Sequence, residues 1–184
     1  MAIDALGVDF VGFIFYPGSS RYVKQIPKRK NGAKRVGVFV NETPDNVIAT
    51  CKKYDLDYAQ LHGNETPKTL NAVAKEVKTI KAFSVNETFD FNCCRDYSSA
   101  TYFLFDTKGK KFGGNGVKFN WKILENYTQE KPFLLSGGIG PDDVKAINEL
   151  DHPKLYGIDV NSAFESSPGV KKTELLKEFK SQLK

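Results

Sequence analysis

Five stretches of this sequence place reactive or ligand-holding residue types at the ends of apolar runs. Asp106 closes the run Tyr102–Phe105. A carboxylate at the end of a buried strand costs free energy unless it is paired or functional, so Asp106 is a candidate catalytic acid. The run Gln60-Leu61-His62-Gly63 ends in a histidine, able to bind a ligand or relay a proton, or simply satisfied within the structure. Arg21 lies in Tyr16-Pro17-Gly18-Ser19-Ser20-Arg21-Tyr22, where it is either a bidentate clamp for a carboxylate or phosphate or a solvated loop arginine. Ser136-Gly137-Gly138-Ile139-Gly140 precedes a helix start, and Asp159-Val160-Asn161-Ser162 follows the last apolar run. Glycine N–H groups and a helix N-terminus favour an anion. One Gly-Gly alone reads as a tight turn; two such loops in the last two units point to a phosphorylated ligand.

Other residues of reactive type read as structural. Cys51 shares an apolar helix face with Val47 and Ile48, and Cys93-Cys94 have no histidine nearby in sequence with which to make a zinc site. His152, in Asp151-His152-Pro153, reads as part of a surface turn. The stretch Thr107–Gly116, rich in glycine and lysine, has the composition of a lid or of a plain surface connection.

Those stretches need elements to hold them. Strands are expected at Asp9–Phe15, Arg35–Val40, Tyr58–His62, Thr79–Phe83, Tyr102–Phe105, Phe133–Leu135 and Leu155–Val160. Several are nearly continuous apolar runs, as in parallel strands buried on both faces. Thr43-Pro44 and Thr66-Pro67 each set a capping hydroxyl before a proline that opens a helix, and Gly140-Pro141 opens another. Leu175, Phe179 and Leu183 lie on one face of a final amphipathic helix. Ala2–Gly7 reads as the tail of a helix, with Gly7 just past its end. Seven βα units fit either an eight-stranded barrel without its first strand or an open, doubly wound sheet of seven strands.

Composition narrows the function class. The 184 residues are 40% hydrophobic and 27% charged, which fits one globular α/β domain spanning residues 1–184. No apolar run approaches the ~20 residues that span a bilayer, and the three cysteines cannot staple a secreted fold. A cytoplasmic protein is expected, with no membrane and no nucleic-acid partner. The net charge of +5 is spread along the chain, its densest patch, Lys28-Arg29-Lys30, has no interleaved aromatics, and a mild positive excess suits an anionic small molecule.

Taken together, the stretches resemble phosphoribosylanthranilate isomerase. The resemblance rests on Gly12–Pro17 with Ser20-Arg21-Tyr22-Val23, Val36–Asn41, Gln60–Gly63, Ile80–Phe83, Asp106 with Gly113–Gly116 and Phe119-Asn120-Trp121, Leu135–Gly138, Gly157–Ser162, and Glu165–Val170. It spans essentially the whole chain, in order. It implies a (βα)8 TIM barrel, with the first strand and most of the first helix absent from this sequence. The implied reaction is the Amadori rearrangement of N-(5-phosphoribosyl)anthranilate to 1-(2-carboxyphenylamino)-1-deoxyribulose 5-phosphate, in tryptophan biosynthesis, by a monomer or homodimer without cofactor or metal. By resemblance, Asp106 is the general acid, with a pKa raised by its apolar strand. Arg21 holds the anthranilate carboxylate, Gly137, Gly138, Asn161 and Ser162 hold the phosphate, and His62 lines the site wall. The family's general base is the cysteine of a Lys-x-Cys-Gly segment that this sequence does not contain. Ser19-Ser20 stands where the family usually has Ser-Pro, and Asn115-Gly116-Val117 where it has Thr-Gly-Lys. Without that cysteine the chain as written is expected to have little isomerase activity, since losing acid–base catalysis costs about 10²–10⁴-fold. The alternative reading is a non-catalytic, phosphate-binding barrel remnant.

Overall fold

Each expected apolar run forms a strand: β1 (Phe10–Ile14), β2 (Lys34–Phe39), β3 (Tyr58–Leu61), β4 (Lys78–Val85), β5 (Tyr102–Thr107), β6 (Phe133–Leu135) and β7 (Leu155–Ile158). The computed structural model describes residues 3, 6–29, 32–107 and 119–184. Ala2, Asp4 and Ala5 of the expected helix tail, Lys30 of the basic patch, and nearly all of the lid stretch Thr107–Gly116 lie outside the described residues. Gly7, just past the expected tail, has a φ of +61°.

The strands build one sheet in the order β1-β2-β3-β4-β5-β6-β7, every neighbouring pair parallel. A doubly wound sheet reverses its strand order at a switch point. Strictly sequential order has no such reversal and is the order of a barrel, which decides between the two architectures left open above.

The crossovers begin where the sequence marks them. Thr43 accepts a hydrogen bond from the Asn46 N–H at the start of α1 (Pro44–Tyr54), and Thr66 one from Thr69 at the start of α2 (Pro67–Ala74). The helices of the later crossovers are shorter. The Cys93-Cys94 stretch is a 3-10 helix, Phe91–Tyr97, capped by Asp90, and a second one, Trp121–Asn126, follows β5. Gly140-Pro141 opens a 3-10 turn, Pro141–Asp143, that continues as α3 (Val144–Glu149). After β7 come a 3-10 turn, Ser162–Phe164, the hairpin β8 (Glu165–Ser167) and β9 (Val170–Lys171), and α4 (Thr173–Gln182).

Side chains from the sheet divide between two apolar layers. On the inner side, Phe10, Tyr58, Tyr102 and Tyr156 come from the beginnings of β1, β3, β5 and β7 and touch through their rings, with centroids 4.6–6.4 Å apart. Four side chains from alternate strands make one layer of a barrel interior. Packed with this aromatic floor are Val36, Ile80 and Leu134 from β2, β4 and β6. The contact between Phe10 and Tyr156, 6.4 Å between centroids, shows that the sheet curls until its first and last strands approach. Outside, Phe105 packs against the rings of Phe83, Phe91, Tyr127 and Phe133 beneath the 3-10 helices.

Phe105 is fully buried within this outer layer. Replacing it with alanine is expected to cost about 3–5 kcal/mol, through lost transfer energy and the cavity left behind. Urea unfolding checks this: a midpoint unchanged from that of the parent would contradict the packing described.

Candidate active site

In a parallel barrel the strand C-termini form one mouth, and four strands deliver polar groups there. β3 delivers Gln60 and His62. The Gln60 amide nitrogen, which can only donate, lies 2.7 Å from His62 Nδ1. With Gln60 donating to Nδ1, the ring is placed to donate from Nε2, which lies 3.1 Å from Asp106 Oδ2 at the end of β5. The other carboxylate oxygen, Asp106 Oδ1, accepts the Thr107 backbone N–H at 2.8 Å. Asp106 closes an apolar strand and is buried, as its place in the sequence implies. In the structure an N–H donor faces each of its oxygens, because the curled sheet brings β3 over to β5.

The loop after β6 closes on the same carboxylate. Gly137 has a φ of +93°, and a Cβ there would lie 2.4 Å from the Thr107 nitrogen and 2.7 Å from Asp106 Oδ1. Gly138 also has a positive φ, +68°. The Gly-Gly pair is thus required both by the turn and by the approach to Asp106. One residue earlier, the Ser136 hydroxyl donates to Asp159 Oδ2 at 2.9 Å. Asp159 reaches solvent, but crowding by the surrounding protein pushes its carboxyl above the ordinary range. The Ser136 hydrogen bond opposes that shift, and the negative charge of Asp106 adds to it.

A second cluster links the first unit to the last. Arg21 is not a freely solvated loop residue: its Nε and Nη2 lie 2.8 and 2.7 Å from Glu165 Oε2. The other oxygen, Glu165 Oε1, accepts from Lys171 Nζ at 2.9 Å and from the Gly169 N–H at 3.1 Å. Lys171 also donates to the Asn161 carbonyl and side-chain oxygens, at 3.0 and 2.5 Å. Asn161 therefore turns its side chain to Lys171, and Ser162 heads the short turn that follows. Lys171 and Asp159 feel each other's charge, which joins the two clusters.

Structure thus brings His62, Asp106 and Gly137 into contact and ties Arg21 to Asn161 through Glu165 and Lys171. Sequence reasoning assigned no role to Asp159, Glu165 or Lys171. The signal available for the last two is the hairpin Glu165-Ser166-Ser167-Pro168-Gly169, whose Pro-Gly turn, with Gly169 at a φ of +84°, folds Glu165 back towards Lys171. Among the described residues, no group of three or more His, Cys, Asp or Glu side chains is arranged to hold a metal ion.

A curled, all-parallel sheet with its acid, its histidine and its glycine loops at the strand C-termini is the arrangement of (βα)-barrel enzymes. The chain belongs to the N-(5'-phosphoribosyl)anthranilate (PRA) isomerase family, whose model matches residues 2–182. An N-(5'-phosphoribosyl)anthranilate isomerase from Parabacteroides distasonis is 43% identical over 190 residues, covering 98% of this chain and 86% of the relative. The crystal structure of phosphoribosyl anthranilate isomerase from Thermotoga maritima superposes with a TM-score of 0.85 at 31% identity, covering 98% of this chain and 90% of that one. Another solved isomerase, holding reduced 1-(o-carboxyphenylamino)-1-deoxyribulose 5-phosphate, gives a TM-score of 0.79 at 30% identity over 97% of this chain and 88% of its own.

Two outcomes follow from this geometry. Gly137→Ala forces a side chain into the left-handed region and onto backbone atoms, and is expected to lower stability by about 1–3 kcal/mol in a urea titration. Burial alone would raise the Glu165 carboxyl, but hydrogen bonds from Arg21 and Lys171 more than offset it and hold the group below its ordinary value. That stabilisation is therefore complete above the unfolded value of about 4.3 and is lost as the pH falls through the lower, folded value. The melting temperature should drop between about pH 5 and pH 3, and Glu165→Gln should flatten part of that drop.

Proposed function

We propose that this chain carries out the reaction for which its family is named, as the Amadori rearrangement of N-(5-phosphoribosyl)anthranilate in tryptophan biosynthesis, with the roles divided as follows. Asp106 gives a proton to the ribose ring oxygen as the ring opens. The charge left on its carboxylate is received by the Thr107 N–H and the His62 Nε2–H, already in place on its two oxygens. The chain Gln60–His62–Asp106, closed from above by Gly137, is the observation that carries this reading. The loops Gly137-Gly138 and Asn161-Ser162 hold the phosphate, and Arg21 holds the anthranilate carboxylate with the guanidinium edge that Glu165 leaves open.

The second proton movement takes a proton from C2′. By resemblance its base is the cysteine of the Lys-x-Cys-Gly segment, which this sequence does not contain. Turnover by this chain is therefore expected to be low, and its own cysteines are unsuited to take over. Burial pushes the Cys51 thiol up to about 12 and Cys94 higher still, and burial raises Cys93 as well, so none is a ready thiolate. Cys51, Cys93 and Cys94 are free thiols, and no helix among the described residues is long and apolar enough to cross a membrane. A monomer or homodimer fits the family, whose Thermotoga maritima member is dimeric.

The test follows the fluorescence of N-(5-phosphoribosyl)anthranilate as it is consumed, in parallel with binding of the reduced product analogue. Asp106→Asn is expected to lower turnover about 10²–10⁴-fold while the analogue still binds. Unchanged turnover in this variant would remove Asp106 from the mechanism. Analogue binding with no turnover in the parent would favour the phosphate-binding remnant instead.

A further inference from the structure

Behind the site lies a buried ion pair that the mechanism does not use. Lys81, on β4, and Glu65, in the loop after β3, are 2.8 Å apart, with side chains 3% and 1% exposed. Lys81 lies in the outer apolar layer, with its ammonium 5.8 Å from the ring centroids of both Phe83 and Tyr97. Burial there lowers the lysine pKa, although the Glu65 charge opposes the shift. A buried pair is poor value as a source of stability, since apolar residues of similar volume fill such a site at no greater cost. Its bonds show what it does.

All three ammonium hydrogens have acceptors: the Leu61 carbonyl at 3.2 Å, the Gly63 carbonyl at 2.7 Å and the Glu65 carboxylate at 2.8 Å. Glu65 in turn accepts the Asn41 N–H at 2.8 Å and the Gly63 N–H at 3.0 Å. Leu61 and Gly63 are the residues on either side of His62, so the chain is clamped to one lysine both before and after the histidine. The packing is tight: a Cβ on Gly63 would lie 2.4 Å from Asn41 Oδ1 and 2.7 Å from Glu65 Oε1. Neither charged group of the pair bonds His62 or Asp106 in the structure.

We propose that Lys81 and Glu65 are positioning residues, which hold the His62 ring at hydrogen-bonding distance from Asp106. This deepens the reading above and rests on it for its catalytic consequence. Without the pair, the Leu61–Gly63 segment loses its anchors on one side, and the ring is free to tilt away from Oδ2. Misplacement by a fraction of an ångström to an ångström is enough to cost tenfold or more in rate.

The experiment is a double-mutant cycle that replaces the pair (Lys81→Met with Glu65→Gln) in the parent and in His62→Asn, with folding checked by circular dichroism. Glu65→Gln alone, which keeps an acceptor for the Asn41 and Gly63 N–H groups, is carried as the milder variant should the pair replacement not fold. Turnover is expected to fall about tenfold to a hundredfold in the folded replacement, KM changing little, with no further loss when His62 is already asparagine. In parallel, the 15N signals of the His62 ring should move from an Nε2-protonated pattern towards a mixture of tautomers. Losses that multiply in the cycle, or ring signals identical to those of the parent, would overturn the proposal. The ring signals need no turnover, so a parent without isomerase activity would count against the functional reading while the positioning role was still decided.

Discussion

Everything at the mouth of this protein depends on the sharing of layers by alternate strands in a curled parallel sheet. β3 and β5 are not neighbours; β4 pairs with both. Curvature nevertheless lets His62 and Asp106 meet over the intervening strand, 44 residues apart in sequence. The same rule assembles the floor from Phe10, Tyr58, Tyr102 and Tyr156. A flat sheet with the same pairing would separate these groups by two strand spacings, or roughly 9–10 Å, and would have neither floor nor site.

Charges of both signs meet at this mouth: Asp106 and Asp159 bring negative charge, Arg21 and Lys171 positive, and Asp159 and Lys171 feel each other's charge. Glu165 lies between the two cations and accepts from both. It offsets their repulsion and holds the guanidinium through Nε and Nη2.

Much of this was legible in the sequence, for reasons specific to parallel sheets. Several strands are written as nearly continuous apolar runs and the rest as short β-branched or aromatic stretches, so all seven could be read, and the residues ending the runs marked Asp106, His62 and the Gly137-Gly138 loop. Thr43 and Thr66 showed the helix starts because capping is local chemistry. What stayed hidden is what long-range contacts decide. Arg21 looks like a loop arginine until Glu165, 144 residues away, is seen beside it. Lys81 reads as an ordinary charged residue interrupting a strand, because nothing near it in sequence shows that Glu65 will be buried with it. Asp106 was expected to be desolvated by its own strand, but its donors come from its own backbone neighbour and from another strand. The described helices between β4 and β5 and between β5 and β6, Phe91–Tyr97 and Trp121–Asn126, are 3-10 rather than α, and apolar spacing alone does not separate these in so short a stretch.

The approach of β1 to β7 is held at two levels that respond to different solution conditions. At the floor, Phe10 meets Tyr156 through apolar ring contact, which added salt does not screen. At the mouth, Arg21 meets Glu165 in a pair whose side chains are only 18% and 4% exposed. Mobile ions screen exposed charges far more than charges this deep. The seam between the first and last strands is therefore nearly indifferent to ionic strength at both ends, and the width of the mouth is a property of the folded chain rather than of the salt around it.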